Sequence, residues 1–168
     1  MAKVTTTMLT TKGSFTSCKP GFDLVPIGGK KQCLKYLPNE KKHLGKFWRK
    51  RSESEADCKR IGARLPLPKN KAENDDLVSV AKKRYKLDSN NYFKIAIDLN
   101  DVANEGEFVT SNGLKPLYTN WQYGFPKNGQ YKGKSYGEHD FGVMLLSNGR
   151  WLDFKSTEYS HLICQQFH

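Results

Sequence analysis

The sequence has no apolar run near the roughly 20 residues that cross a bilayer, so it offers no membrane span. It also lacks a glycine-rich phosphate loop between a strand and a helix, and any recognisable nucleic-acid module, so its positive charge is not by itself a sign of nucleic-acid binding. Cysteine is sparse. Cys18, Cys33, Cys58 and Cys164 are the whole set, and no two of them lie at the two- to four-residue spacing of zinc sites. An even count favours two disulfides and an oxidising compartment, and spacing alone leaves three pairings open. No Ser or Cys has a recognisable nucleophile context, so no enzyme is expected. Met1-Ala2-Lys3 lacks the apolar core of a signal peptide. The expectation is an exported protein whose signal was removed and a start residue added.

What the chain does contain suffices for one domain. At 168 residues it can bury a real core without a second module. Its net charge of +11 is unevenly placed: from Asp101 to the end six Lys/Arg meet seven Asp/Glu, giving −1, so the first hundred residues carry +12. Between Lys30 and Arg60 eleven basic residues outnumber four acidic ones, a local +7. Such a field favours anionic partners and speeds their encounter. The bland alternative is a solvated basic surface with no specific ligand.

Residues 1–17 are rich in Thr and Ser without an apolar period and read as a flexible arm, leaving 18–168 as the folded domain. Phe22–Pro26 and Gln32–Tyr36 around Gly28-Gly29 predict a hairpin. Ser52-Glu53-Ser54-Glu55 has the capping-box pattern and predicts a helix starting at Ser52 and stopping at Gly62. A second helix over 72–85 turns Leu77, Val78, Val80 and Ala81 inward and sets Lys82-Lys83-Arg84 at its C-terminal dipole. Residues 92–97 predict a central strand. From Asp98 to His139 the chain turns to Gly, Asn, Asp, Pro and Tyr, too long for an ordinary connection and therefore a candidate functional loop. Strands return at 142–146, 150–153 and 160–165. The order predicts an α+β domain.

An ordered set of motifs spans about Cys18 to Gln165. Cys58-Lys59-Arg60-Ile61-Gly62-Ala63-Arg64-Leu65-Pro66 closes the first helix, and Phe93-Lys94-Ile95-Ala96-Ile97 follows. Then come Glu105-Gly106-Glu107-Phe108, Tyr118-Thr119-Asn120-Trp121, Phe125-Pro126-Lys127, Gly149-Arg150-Trp151-Leu152-Asp153 and His161-Leu162-Ile163-Cys164. This set resembles the C-type lectin-like domain family in its long form. The resemblance implies an α+β fold of two helices, short antiparallel strands and a long loop, with bridges Cys18–Cys33 and Cys58–Cys164. The family's usual second core bridge would fall near Gly142 and Ser156, and is missing.

The resemblance also implies a calcium position in the long loop, but the side chains there are altered. Phe125-Pro126-Lys127 stands for the family's Glu-Pro-Asn or Gln-Pro-Asp and Leu152-Asp153 for its Asn-Asp, with only Glu138 or Asp140 to stand for the later acid. Calcium takes six to eight oxygens, so neither metal nor other cofactor is expected. The Phe125–Pro126 bond is left open between cis and trans. Lys127 is either an internal substitute for the cation, reaching Asp153, Glu138 or Asp140, or a plain surface lysine.

The expected function is secreted, non-enzymatic, calcium-independent recognition of an anionic glycan or other polyanion through Lys41, Lys42, Lys46, Arg49, Lys50 and Arg51. The alternatives are a protein partner met by the long loop, through Tyr123, Phe125, Lys127, Tyr131, Lys132 and Lys134, or a neutral sugar. Nucleic acid is not the expected physiological partner. Tyr123, Phe125, Tyr131 and Tyr136 either form an interaction surface or fold back to pack the loop. Trp121, Trp151 and Tyr118 read as core, His161 as a buried hydrogen-bonded side chain, and His139 beside Asp140 as the only hint of a catalytic pair.

Overall fold

The computed structural model describes residues 14–38, 49–87, 93–128, 130–131, 134–135 and 138–167. Its strands are Asp23–Ile27 (β1), Lys30–Tyr36 (β2), Arg49–Lys50 (β3), Ala63–Arg64 (β4), Lys94–Asn100 (β5), Gln130–Tyr131 (β6), Lys134–Ser135 (β7), Phe141–Leu145 (β8), Trp151–Phe154 (β9), Tyr159–Ser160 (β10) and Ile163–Gln166 (β11). Its helices are Arg51–Arg60 (α1) and Lys71–Lys83 (α2). One antiparallel sheet runs β1-β2-β11-β4 and a second runs β5-β8-β9, with β3-β10 and β6-β7 as two-stranded ribbons. The α+β architecture expected from the motif order is the one observed.

The hairpin forms as predicted, with Gly28 and Gly29 at φ 59° and 74°, where a side chain would be strained. Cys18–Cys33 staples it, and Cys58–Cys164 ties α1 to β11. Part of the predicted arm is attached: the Phe15 amide donates to the Lys31 carbonyl (2.8 Å) and the Lys31 amide to Ser14 Oγ (3.0 Å). Residues 1–13 lie outside the described residues.

The start of α1 differs from the capping-box reading. The helix begins at Arg51, its N-cap is Lys50, and among the described residues no side chain caps it. The cause is tertiary: β3 pairs with β10 and runs straight into the helix, so the Arg51 amide donates to the Glu158 carbonyl at 2.9 Å. Gly62, at φ 67°, ends the helix as expected. The side-chain cap appears on α2 instead, where Asn70 Oδ1 accepts from the Glu73 amide (2.9 Å) and Glu73 Oε2 from the Lys69 amide (2.8 Å). Leu77 and Ala81 are buried, with Val78 and Val80 packed beside them. Arg84 is not spent on the helix end. It pairs with Asp23 of β1, which also accepts from the Tyr85 hydroxyl at 3.0 Å.

β5 is buried along Ile95–Leu99, yet by hydrogen bonding it is an edge strand of its sheet rather than a central one. Its outer side is covered by His161, whose amide donates to Lys94 (2.8 Å) and whose carbonyl accepts from Ala96 (3.2 Å), so the two sheets meet there. The core between them is built on Leu34, Ile97, Leu99, Met144, Trp151 and Ile163. At Gly142, one of the positions of the missing family bridge, a Cβ would come within 2.9 Å of Leu99 Cβ and 3.1 Å of Ile97. Close packing of β8 on β5 occupies the space a cysteine side chain would need.

Candidate ligand-binding site

Two backbone pairings join the stretches that the sequence singled out. The Trp151 amide donates to the Asn120 carbonyl (2.8 Å) and the Gln122 amide to the Trp151 carbonyl (2.9 Å), so residues 120–122 lie along β9. Trp151 is fully buried, and its indole N–H donates to Asn74 Oδ1 at 2.8 Å. Trp121 meets Trp151 edge-on at 5.9 Å and Phe108 at 4.8 Å, while Tyr118 meets Trp151 at 5.6 Å. These rings support the loop from below, as the core reading expected. Asn74 and Asn120 both donate to the Gly149 carbonyl, at 3.0 and 2.8 Å, pinning the turn before β9 to α2 and to the loop.

Beyond Trp121 the chain turns, with the Phe125 amide on the Gln122 carbonyl (2.9 Å), and passes through a cis Phe125–Pro126 bond. The amides of Lys127 and Asn128 then donate to Asp153 Oδ2 at 2.8 and 2.7 Å. Asn128 takes φ 50° there, a conformation Asn tolerates better than most residues. Lys127 therefore meets Asp153 through its backbone. Its ammonium lies 4.3 Å from the centre of the Phe125 ring, in cation–π range. Phe125 is half-buried in this arrangement, whereas Tyr123 is as exposed as a side chain can be, at 102 %. Of the other loop residues singled out, Tyr131 and Lys134 lie on the β6-β7 ribbon; Lys132 and Tyr136 lie outside the described residues.

The acids of this region are drawn in by burial. Burial pushes the Asp101 carboxyl up to about 6; the Gly106 amide, donating at 2.7 Å, opposes this, while Glu105 and Asp140 nearby add to it. Burial also raises Asp140, helped by Glu138 and opposed by His139. Asp101 belonged to none of the motifs singled out in the sequence, although it stands four residues before Glu105 at the loop's start, a readable signal. His139 Nδ1 is buried without a hydrogen-bond partner among the described residues. His161 is stacked on Phe93 at 5.3 Å, with Nδ1 3.2 Å from the Tyr36 hydroxyl.

The predicted basic face is changed at one residue. Arg51 is only 2 % exposed: its guanidinium donates to the Ile97 carbonyl at 3.0 Å and lies 4.7 Å from the Phe141 ring. Burial lowers its pKa to about 10, with Glu55 and Asp98 partly offsetting this. It is an interior prop rather than a surface ligand, because the β3-to-α1 junction turns it inward. Arg49 and Lys50 sit on β3, with Lys50 exposed. Lys41, Lys42 and Lys46 lie outside the described residues.

Residues 49–166 match the family described as the lectin C-type domain, well over half of the chain. The chain belongs to the C-type lectin domain family. Human Collectin-10 is 30 % identical over 114 residues, covering 67 % of this chain and 36 % of that protein. The C-type lectin domain family 3 member A homolog of Xenopus laevis is 32 % identical over 113 residues, covering 67 % of this chain and 53 % of that one. The matches thus span about a third to a half of these relatives. The carbohydrate-recognition domain of the human scavenger receptor C-type lectin has the same fold, with a TM-score of 0.67, 18 % identity and coverage of 90 % of this chain and all of that one. The C-type lectin domain is a non-enzymatic recognition fold, so His139 needs no catalytic role.

Proposed function

We propose that this C-type lectin domain is a secreted module that recognises an anionic carbohydrate without calcium. The observation that carries the calcium-free reading is the shortage of oxygens: Asp153 Oδ2 accepts two backbone amides, Asp153 Oδ1 and Asn128 Oδ1 are buried there without a hydrogen-bond partner among the described residues, and the neighbouring family positions offer only the carbon side chains of Phe125 and Leu152 and the cation of Lys127. A calcium ion needs six to eight oxygens, and this donor set does not fit one. The family and the collectin relatives support a glycan as the ligand class, the two disulfides support an oxidising compartment, and the +7 between Lys30 and Arg60 supports an acidic one. The contacts are assigned to Lys41, Lys42, Lys46, Arg49 and Lys50, with Arg51 removed from the set.

Retention on a heparin column tests the assignment. Replacing Lys41, Lys42, Lys46, Arg49 and Lys50 by Ser is expected to bring elution to much lower salt, whereas replacing Lys127, Lys132 and Lys134 leaves it nearly unchanged. Early elution of the second variant alone contradicts the basic-face assignment. One observation favours a second reading: Tyr123 projects fully into solvent from a loop held by Asp153, as an aromatic anchor for a protein partner would. If neither lysine set changes retention, and Tyr123→Ala abolishes binding to a protein partner, that reading replaces the first.

A further inference from the structure

A cavity of about 450 Å³ opens between the β4-to-α2 connection and the loop 110–117. Its wall on one side is Leu67 and Pro68, and on the other Leu114 and Leu117, which are 65 % and 85 % exposed. These leucines are not displaced by a loose loop. The Thr110 amide donates to the Leu114 carbonyl (2.9 Å), the Gly113 amide to the Thr110 carbonyl (2.8 Å) and the Leu114 amide to Thr110 Oγ1 (3.1 Å). Beneath them Asp98 accepts from the Ser111 amide (2.9 Å) and hydroxyl (3.1 Å). A single exposed leucine is unremarkable, but two held beside a concave apolar wall make a contiguous surface of the kind that marks a binding site.

The border of the cavity is cationic. Arg64, Lys69 and Lys115 line it, and the one carboxylate among its described lining residues, Asp98, accepts hydrogen bonds from Ser111. Among the described residues neither Lys69 nor Lys115 forms an ion pair. A second, smaller cavity of about 90 Å³ shares Arg64, Leu67 and Lys69 and adds Lys30 together with the carboxylate Glu73. The volume lies within the range of roughly 300–1,000 Å³ typical of small-molecule sites, in which apolar walls supply affinity and a few polar groups fix orientation.

We propose that this cavity binds a small anionic amphiphile: an aromatic or short aliphatic body against Leu67, Leu114 and Leu117, and a sulfate, sulfonate or carboxylate head at Lys69 and Lys115. The site uses none of the residues assigned to the glycan.

Two dyes with the same apolar body test it. 8-Anilino-1-naphthalenesulfonate carries the anionic head, and N-phenyl-1-naphthylamine lacks it. With the intact protein the sulfonate is expected to bind one to one, about tenfold tighter than the neutral dye. Lys69→Ala with Lys115→Ala should remove that difference and leave the neutral dye unaffected. Leu114→Ser with Leu117→Ser should abolish both, with an unchanged melting temperature because both side chains are exposed. The variant at Lys41, Lys42, Lys46, Arg49 and Lys50 should bind both dyes like the parent, which separates this site from the glycan reading. Equal affinity for the two dyes, sulfonate binding that survives the lysine changes, or binding that survives the leucine changes overturns the proposal.

Discussion

Asn128 donates its backbone amide to Asp153 Oδ2 at 2.7 Å, next to the Lys127 amide at 2.8 Å on the same oxygen. One buried carboxylate thus fixes the far side of the long loop to β9 by hydrogen bonds to the chain itself. Asp153→Ala orphans both amides, and leaving buried donors unpaired costs about 1–3 kcal/mol each before relaxation. Urea unfolding should show a loss of about 2–4 kcal/mol, with a smaller loss for Asp153→Asn, which keeps an acceptor. A neutral effect of Asp153→Ala contradicts the role.

Asp101 gives the domain a pH dependence of defined sign. Burial raises its pKa from the ordinary 3.8 to about 6, so between those values the folded protein holds a proton that the unfolded chain releases. Its contribution is therefore most favourable at low pH, and stability is lost as pH rises through about 6. Asp101→Asn should be more stable than the parent near neutral pH by on the order of 1–3 kcal/mol, and little different near pH 4. Melting curves at the two pH values check this; equal melting at neutral pH contradicts it.

Gly142→Ala places a methyl group where 2.9 Å separates the ideal Cβ from Leu99 Cβ. Overpacking of this kind costs about 1–3 kcal/mol. Denaturant titration should show it, and the same clash should make a cysteine here destabilising even with a partner at Ser156.

Arg51→Ser removes a guanidinium that fills the interior between Ile97 and Phe141. The expected outcome is a stability loss of about 2–4 kcal/mol, with heparin retention of the still-folded fraction unchanged. Early elution of folded Arg51→Ser would return this residue to the ligand face.

Much of this structure was legible because covalent and turn chemistry leave local marks. The cysteine set, the Gly28-Gly29 turn, Gly62 after α1 and the ordered tryptophan motifs all led to elements that form. What was not legible depended on distant strands. Ser52 has the residue types of a cap, but Glu158 supplies the carbonyl that satisfies the Arg51 amide, and no local pattern records that pairing. Arg51 reads as one more charge in a basic run until β5 and β8 place Ile97 and Phe141 around it. At the loop, the resemblance placed Phe125, Lys127 and Leu152, which have no side-chain oxygen, at the family's calcium positions. That the Lys127 amide rather than its ammonium reaches Asp153 is a matter of backbone path alone.

The most direct test of calcium-free recognition is titration calorimetry of the intact chain with a heparin oligosaccharide, once with excess calcium and once with chelator. The dissociation constant should be the same in both, and should weaken steeply as salt is raised, because several charge contacts release counterions from the polyanion. Binding that appears with calcium and vanishes with chelator contradicts the account.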